Sequence, residues 1–161
     1  MSTNAIYPGT FDPITYGHIN ILEKASRLFD KVILSVAAYT DKETLFSLQE
    51  RYELCSESVK HLSNVEVYTF EGLAVDFARS QNCSVMIRGL RAVSDFEYEL
   101  SLALTNTTLN PEIETLFLVP SLRYMYLSSS ITRQLAELDS ELKDFVPPVV
   151  AKALRDKFKK E

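Results

Sequence analysis

The sequence predicts an α/β fold in which a five-stranded parallel sheet carries helices on both faces and a further helix lies at the C-terminus. Short β-rich runs alternate with segments whose apolar residues recur at helical spacing. Most of the β-rich runs are apolar on both faces, as strands buried between two helical layers must be. The 161 residues are 46% hydrophobic and include no linker-like or repeated segment, so we expect a single domain spanning residues 1–161.

Five segments are predicted to be strands because they are rich in β-branched and aliphatic residues. In chain order they are NAIY (4–7), KVILSVAA (31–38), VEVYTF (65–70), SVMIR (84–88) and ETLFLV (114–119). Parallel sheets of this kind bind ligands beyond the carboxyl ends of the strands, where the strand order reverses. The segment after the first strand is therefore predicted to lie at a ligand-binding edge.

Helices are predicted between the strands at residues 19–29, 48–62, 73–81 and 95–109. Two of these helices are predicted to begin with capping boxes, Ser47 with Glu50 and Ser94 with Glu97. Pro147 and Pro148 open the last helix, because the first helical turn does not need their missing N–H groups.

Composition excludes several classes of function. The formal net charge of −5 argues against a nucleic-acid partner, which would need a basic face. Residues 32–39 form the longest apolar run, which is too short to span a bilayer, and the first residues lack the pattern of a signal peptide. Cys55 and Cys83 have no metal-ligand spacing and are typical of a reducing compartment. We expect no membrane partner, no protein-held metal and a cytoplasmic location.

The segment YPGTFDPITYGH (7–18) interrupts the passage from the first strand into the first helix. Gly9 and Gly17 allow sharp turns or a close approach to a ligand, and His18 falls in the first turn of the helix, where N–H groups attract anions. The segment has neither a Walker A lysine nor GxGxxG. The alternative is a tight turn capped by polar side chains, with His18 on the surface.

Two further segments place anion-binding groups after later strands. IRGLRAVSDFEYE (87–99) brings Arg88 and Arg91 to the end of the fourth strand, although Asp95, Glu97 and Glu99 offer them ion pairs instead. YLSSSITR (126–133) follows the fifth strand with three serines at a helix start, more than a single N-cap requires.

Lys42, in the polar loop after the second strand, is weaker evidence, because a single lysine in such a loop is more often simply solvated. Together with the two segments above, it favours a small polyanionic ligand. No Ser–His–Asp arrangement or carboxylate pair stands out, so the pattern indicates phosphoryl or nucleotidyl transfer by positioning and electrostatics.

These motifs, in this order and spacing, resemble those of the bacterial phosphopantetheine adenylyltransferases, within the nucleotidyltransferase superfamily marked by (H/T)xGH. TYGH alone indicates the superfamily, whereas RGLR followed by DFEYE is more specific, and the resemblance covers essentially the whole chain. It implies a Rossmann-like fold and adenylyl transfer from ATP to 4′-phosphopantetheine with Mg²⁺, giving dephospho-coenzyme A and pyrophosphate. It also implies a homohexamer and feedback inhibition by coenzyme A.

The resemblance further assigns roles to individual residues. It implies catalytic roles for Thr10, His18, Lys42 and Arg91. ATP binding is implied for Thr10, Phe11, His18, Gly89, Leu90, Arg91, Glu99, Tyr124, Met125, Tyr126, Leu127, Ser128, Ser129 and Ser130. Acceptor binding is implied for Thr10, Lys42, Leu73, Ala74 and Arg88. The sequence departs from the common family pattern at Tyr124, where many members have Trp, at Glu43 and Thr44, where Lys-Pro is common, and at Ala74, where some members have a larger residue.

Other functions compatible with the residues are a related transferase with another acceptor, such as nicotinamide mononucleotide or glycerol phosphate, and a non-catalytic nucleotide or coenzyme A sensor. The related transferases lack RGLR and DFEYE in this form, and a sensor would not need Thr10, His18 and the serine cluster. A fragment of a class I aminoacyl-tRNA synthetase is disfavoured, because no KMSKS-like stretch occurs.

Overall fold

A computed structural model describes residues 2–159, except for the side chains of residues 93 and 94. The predicted parallel sheet of five strands is confirmed. Its strands are β1 (Asn4–Gly9), β2 (Lys31–Ala37), β3 (Val65–Phe70), β4 (Val85–Gly89) and β5 (Glu114–Leu118). The spatial order is β3-β2-β1-β4-β5, so β1 pairs with β2 on one side and with β4 on the other. The strand order therefore reverses between β1 and β4, which is where such sheets bind their ligands.

Six helices accompany the sheet. They are α1 (Tyr16–Leu28), α2 (Leu48–Val59), α3 (Ala74–Ser80), α4 (Val93–Leu109), α5 (Ser129–Glu137) and α6 (Pro148–Phe158), with a short 3₁₀ turn at Leu122–Tyr124. Helix α1 begins three residues before its predicted start, which places Gly17 and His18 inside its first turn, as expected for His18.

The core lies on both faces of the sheet, because successive side chains of a strand point to opposite sides. Ala5 and Tyr7 of β1 face the larger cluster, which includes residues of α1, α2 and α6. Ile6 of β1 and Ile33 of β2 face the smaller cluster, which includes residues of α3. Strands β1 and β2 are buried along their length, which explains why their sequences read as nearly continuous apolar runs.

One predicted helix cap is confirmed and the other is wrong. The Ser47 side chain accepts the N–H of Glu50 at 3.2 Å, and Glu50 Oε2 accepts the N–H of Ser47 at 2.8 Å. Helix α4, however, begins at Val93 with Ala92 as its N-cap, so Ser94 falls inside the first turn. The Ser94 side chain lies outside the described residues. The helix starts earlier because the Ala92 carbonyl already accepts the N–H of Asp95 at 3.0 Å.

Within residues 2–159, no helix combines the length and apolarity needed to cross a membrane.

Candidate active site

A cleft of about 370 Å³ opens at the carboxyl ends of β1 and β4, where the strand order reverses. Most of the sequence-predicted site residues line it, namely Thr10, Phe11, His18, Lys42, Arg88, Gly89, Arg91, Glu99, Leu127, Ser128, Ser129 and Ser130. Residues that are more than 30 positions apart in the chain thus meet at one edge of the sheet, as the parallel arrangement predicts.

Six of the predicted residues do not line this cleft. The Leu90 N–H donates to the Leu118 carbonyl at 3.0 Å, which continues the pairing of β4 with β5. Tyr124, Met125 and Tyr126 lie in and after the 3₁₀ turn that precedes α5, and Leu73 and Ala74 lie at the start of α3, beyond the end of β3.

The turn after β1 depends on Gly9. Phe11 has a positive φ of 52° and its ring folds back over the turn, where a Cβ on Gly9 would lie only 3.0 Å from the ring. The Phe11 ring also meets the His18 ring edge-on, with centroids 5.0 Å apart. The glycine therefore allows an aromatic side chain to form one wall beside His18.

The imidazole of His18 is held in one neutral form. The backbone N–H of Thr15 donates to His18 Nδ1 at 3.0 Å, and because an amide can only donate, Nδ1 carries no proton. Burial, reinforced by the charges of Arg91 and Arg88, lowers the pKa of His18 from 6.5 to about 4. At neutral pH the ring therefore presents Nε2–H as its donor.

Arg88 is held by Glu99 rather than standing open to the cleft. Its Nε and Nη2 donate to Glu99 Oε2 and Oε1 at 2.9 and 2.8 Å, and its Nη1 donates to the Pro8 carbonyl at 3.0 Å. Although burial opposes the charge, the hydrogen bonds and charge of Glu99 raise the pKa of Arg88. This bidentate pair ties β4 to α4 and to β1, so the ion-pair alternative raised by the sequence holds for Arg88.

Arg91 is also paired, but it connects the loop after β4 to the segment before α5. Its Nη1 donates to the Leu127 carbonyl at 2.7 Å, and its Nε lies 3.4 Å from Asp95 Oδ2. The guanidinium therefore joins the loop after β4 to the segment that leads into α5, with 41% of its side chain exposed. That exposure leaves N–H groups accessible from the cleft.

The serine cluster offers backbone amides rather than three equivalent hydroxyls. Ser128 is the N-cap of α5 and accepts the N–H of Ile131 at 3.1 Å, while the Ser129 hydroxyl donates to the Pro13 carbonyl at 2.8 Å. Within the described part of the chain, no protein acceptor takes the N–H of Ser129 or of Ser130. At the start of α5 these two amides and the positive end of the helix dipole together attract an anion.

The cleft is not basic by formal count. It is lined by four cationic side chains, Lys42, Arg88, Arg91 and Arg133, and by four carboxylates, Asp12, Asp41, Glu43 and Glu99. Asp12 and Glu99 are already bonded to protein donors, and Asp41 and Glu43 flank the exposed Lys42 on its loop. Attraction for an anion therefore comes from individually placed donors and not from a net positive field.

Sequence reasoning missed three residues of this site. Arg133 lines the cleft and donates to the Asp12 carbonyl at 2.5 Å, and its position three residues after Ser130 in the same motif was the available signal. Buried Asp12 accepts the N–H groups of Leu45 and Phe46, both at 2.9 Å. Tyr7 lines the cleft as a neutral phenol, because burial raises its pKa despite the opposing charge of Arg88.

The described residues contain no group of three or more His, Cys, Asp or Glu side chains arranged to hold a metal ion. The two carboxylates deepest in the cleft are bonded to other protein groups, Asp12 to amides and Glu99 to Arg88. Within residues 2–159 these carboxylates therefore form no ready-made cage for Mg²⁺.

Comparison with known proteins agrees with this geometry. Residues 6–135 match the model of a family described as cytidylyltransferase-like. A curated phosphopantetheine adenylyltransferase of Methylacidiphilum infernorum (isolate V4) is 55% identical over 157 residues, covering 96% of this chain and 91% of that protein. Another of the same name, from Caldanaerobacter subterraneus subsp. tengcongensis, is 53% identical and covers 97% of this chain and 98% of its own.

Solved structures of more distant proteins share the fold. A putative nicotinate-nucleotide adenylyltransferase from Vibrio parahaemolyticus superposes with a TM-score of 0.76 at 16% identity, over 99% of this chain and 98% of its own. Nicotinic acid mononucleotide adenylyltransferase of Plasmodium falciparum, complexed with NaAD, gives 0.71 at 18% identity, over 97% and 96%. From the extent and identity of the curated matches, the chain belongs to the phosphopantetheine adenylyltransferase family, within the cytidylyltransferase-like proteins.

Proposed function

We propose that the protein transfers the adenylyl group of ATP to 4′-phosphopantetheine, giving dephospho-coenzyme A and pyrophosphate. The observation that carries the reaction type is the neutral His18 imidazole, which presents Nε2–H in a cleft where the Ser129 and Ser130 amides and Arg91 are further donors. The choice of acceptor is supported by the names of relatives that are 53–55% identical over nearly the whole chain.

The proposed chemistry needs donors and no general base. A phosphate monoester carries a charge of about −1.5 to −2 near neutrality, so it is already a nucleophile. The barrier lies in bringing it to a second polyanion and in stabilising the charge that grows at the α-phosphate. His18 Nε2–H supplies a neutral donor at that point, and Thr10 orients the incoming phosphate.

ATP occupies the half of the cleft formed by β4 and α5. The Ser129 and Ser130 amides and Arg91 hold its phosphates, with Ser128 capping the helix that presents those amides. The nucleoside end contacts Phe11, Gly89, Glu99 and Leu127 in the cleft and extends beyond it to Leu90 and residues 124–126. Tyr124 provides the aromatic wall there, with the Arg123 guanidinium 4.9 Å from its ring centroid.

The acceptor occupies the opposite half. Lys42 and Arg88 face its phosphate. The pantetheine arm extends beyond the cleft to Leu73 and Ala74, where the exposed side chain of Leu73 provides apolar surface. Because Nε and Nη2 of Arg88 already donate to Glu99, Arg88 contributes through its remaining N–H groups and its charge.

Several properties of the complete enzyme belong to the same proposal. Mg²⁺ enters on the phosphate oxygens of ATP, since this ion is commonly bound through substrate phosphates. The protein works in the cytoplasm, and coenzyme A inhibits it by competing for the acceptor half. It assembles as a homohexamer, for which the exposed apolar residues Phe96, Leu100 and Leu104 of α4 supply a contact face.

The test is pyrophosphate release from ATP and Mg²⁺ with 4′-phosphopantetheine, with nicotinamide mononucleotide or with no acceptor. We expect release only with 4′-phosphopantetheine, together with recovery of dephospho-coenzyme A. Release only with nicotinamide mononucleotide would overturn the acceptor. Nucleotide binding without release in any arm would overturn catalysis and support a sensor.

A further inference from the structure

Arg51 is a buried arginine outside the cleft whose position the chemistry above leaves unexplained. It lies on α2 with only 2% of its surface exposed, and within the described residues no carboxylate forms an ion pair with it. Burial is costly for a charge and the nearby charge of Asp12 offsets only part of that cost, so the hydrogen bonds of Arg51 must supply the rest.

Those hydrogen bonds join three separate segments. Nη1 donates to the Thr10 carbonyl at 2.8 Å and to the Ala37 carbonyl at 2.9 Å, and Nε donates to the Phe46 carbonyl at 3.3 Å. Ala37 ends β2 and Phe46 is the second residue before α2, so Arg51 bonds both ends of the loop that carries Lys42. It bonds the same loop to Thr10.

Little else holds this loop. Residues 39–44 make no hydrogen bond to the rest of the described chain, and the Thr40 hydroxyl donates only to the Lys42 carbonyl within the loop. Tyr39 is 79% exposed and Lys42 is also exposed. The reach and direction of Lys42 are therefore set at the two ends of the loop. At the first end the Ala38 N–H donates to the Phe70 carbonyl at 2.9 Å, and at the second Asp12 accepts the amides of Leu45 and Phe46. Arg51 bonds both ends.

The Thr10 loop, in contrast, has several other anchors. Ser129 donates to the Pro13 carbonyl at 2.8 Å and Arg133 donates to the Asp12 carbonyl. Loss of Arg51 should therefore displace mainly the loop that carries Lys42.

We propose that Arg51 is a positioning residue that acts through Lys42: its guanidinium fixes the base of the 38–45 loop against Thr10 and so sets where the Lys42 ammonium meets the reacting phosphates. This inference rests on the proposed function. Arg51 itself touches no substrate, because it is buried and does not line the cleft.

The test is a double-mutant cycle of Arg51→Lys with Lys42→Ala, read as kcat and as KM for each substrate. A lysine cannot reach all three carbonyls, so we expect kcat to fall about 10-fold to 100-fold, as displacement of a positioned group does. In the Lys42→Ala background the same change should lower kcat less than about 3-fold. If the two losses multiply, or if Arg51→Lys leaves kcat unchanged, the inference is overturned.

Asn64→Ala is the matched control. The Asn64 side chain also donates to two backbone carbonyls, those of Ser26 and Phe29 at 2.8 and 3.0 Å. However, it lies just before β3, at the amino end of that strand and so away from the cleft at the carboxyl ends. This variant should lower Tm while leaving kcat and KM unchanged. Should Arg51→Lys not fold, Asp12→Asn replaces it in the cycle with the same expectation, because Asp12 holds the same end of the loop.

Hydrogen exchange separates this inference from the proposed function. Arg51→Lys should raise amide exchange at Ala38, Leu45 and Phe46, the hydrogen-bonded amides at the two ends of the loop, above the level seen in Asn64→Ala, whether or not the protein turns over 4′-phosphopantetheine. Equal exchange in the two variants would overturn the positioning role. An inactive wild-type protein with increased exchange in Arg51→Lys would overturn the proposed function and leave the anchoring intact.

Discussion

Nδ1 of His18 accepts the backbone N–H of Thr15 at 3.0 Å, so the helix that carries the histidine also fixes its tautomer. Thr15 is the N-cap of α1 and His18 is its third residue, which makes the bond part of the helix start itself. The Nε2–H donor is consequently held in place before any substrate arrives, and a donor that needs no reorganisation is the kind that lowers a barrier most.

Replacing His18 should therefore reduce turnover much more than nucleotide binding. For His18→Ala we expect kcat to fall about 100-fold to 1000-fold, with a much smaller change in KM for ATP. Steady-state kinetics measures both. His61→Ala is the control, since the other histidine is exposed and contacts Glu23 at 3.2 Å. An unchanged kcat in His18→Ala would remove His18 from the chemistry.

The low pKa of His18 predicts a specific loss of stability in acid. The folded protein binds a proton on His18 at about pH 4 and the unfolded chain near 6.5, so the unfolded state binds more protons between these values. The free energy of unfolding should be unaffected by this group above pH 6.5 and should fall by up to about 3 kcal/mol as the pH drops to 4. Urea titrations of wild type and His18→Gln between pH 7 and 4 measure it, and parallel pH profiles would contradict it.

Arg91→Ala should weaken ATP binding and turnover together. The guanidinium joins the loop after β4 to the Leu127 carbonyl, so its removal loses a cation and loosens the segment before α5. Calorimetric titration with a non-hydrolysable ATP analogue gives Kd, and initial rates give kcat. Asp95→Asn removes only the ion pair on the outer side of Arg91 and should change both values little. Intact ATP affinity in Arg91→Ala would reduce the residue to a structural role.

Glu99→Ala should destabilise the fold by leaving Arg88 without its bidentate partner. Glu99 is 8% exposed, and breaking a buried pair by removing one partner costs about 3 kcal/mol or more. Urea unfolding measures this loss directly. Glu97→Ala, at an exposed position of the same helix, provides the comparison and should change the free energy of unfolding by less than about 0.5 kcal/mol. Equal effects in the two variants would contradict a structural pair.

A charge on the apolar face of α4 should disrupt assembly. Phe96, Leu100 and Leu104 share one face of the helix at four-residue spacing and are 42%, 39% and 62% exposed in the single chain. We expect Leu104→Glu to shift the sedimentation profile from hexamer towards smaller species. Leu138→Glu, at a 78% exposed position at the end of α5, should leave the profile unchanged. A wild-type protein that sediments as a monomer would refute the hexamer at once.

The sequence by itself determined the sheet, its parallel strands and the edge at which the motifs meet. Strand and helix periods differ and can be read locally, and parallel strands with crossover helices bring every strand exit to one edge. For that reason the sequence predicts that Thr10, His18, Arg88 and Ser129 converge, and they line one cleft. The family motifs indicate the chemistry only through resemblance.

Only the tertiary structure decided which partner each polar group takes. Arg88 could face a phosphate or a carboxylate by sequence, and it is Glu99 of α4, eleven residues after Arg88 in the chain, that accepts its hydrogen bonds. The buried Arg51 gave no signal at all, because two of the carbonyls it bonds, those of Ala37 and Thr10, lie 14 and 41 residues before it in the chain. Such choices depend on distances between elements, and a hydrogen bond acts only over about 3 Å, so local sequence patterns do not encode them.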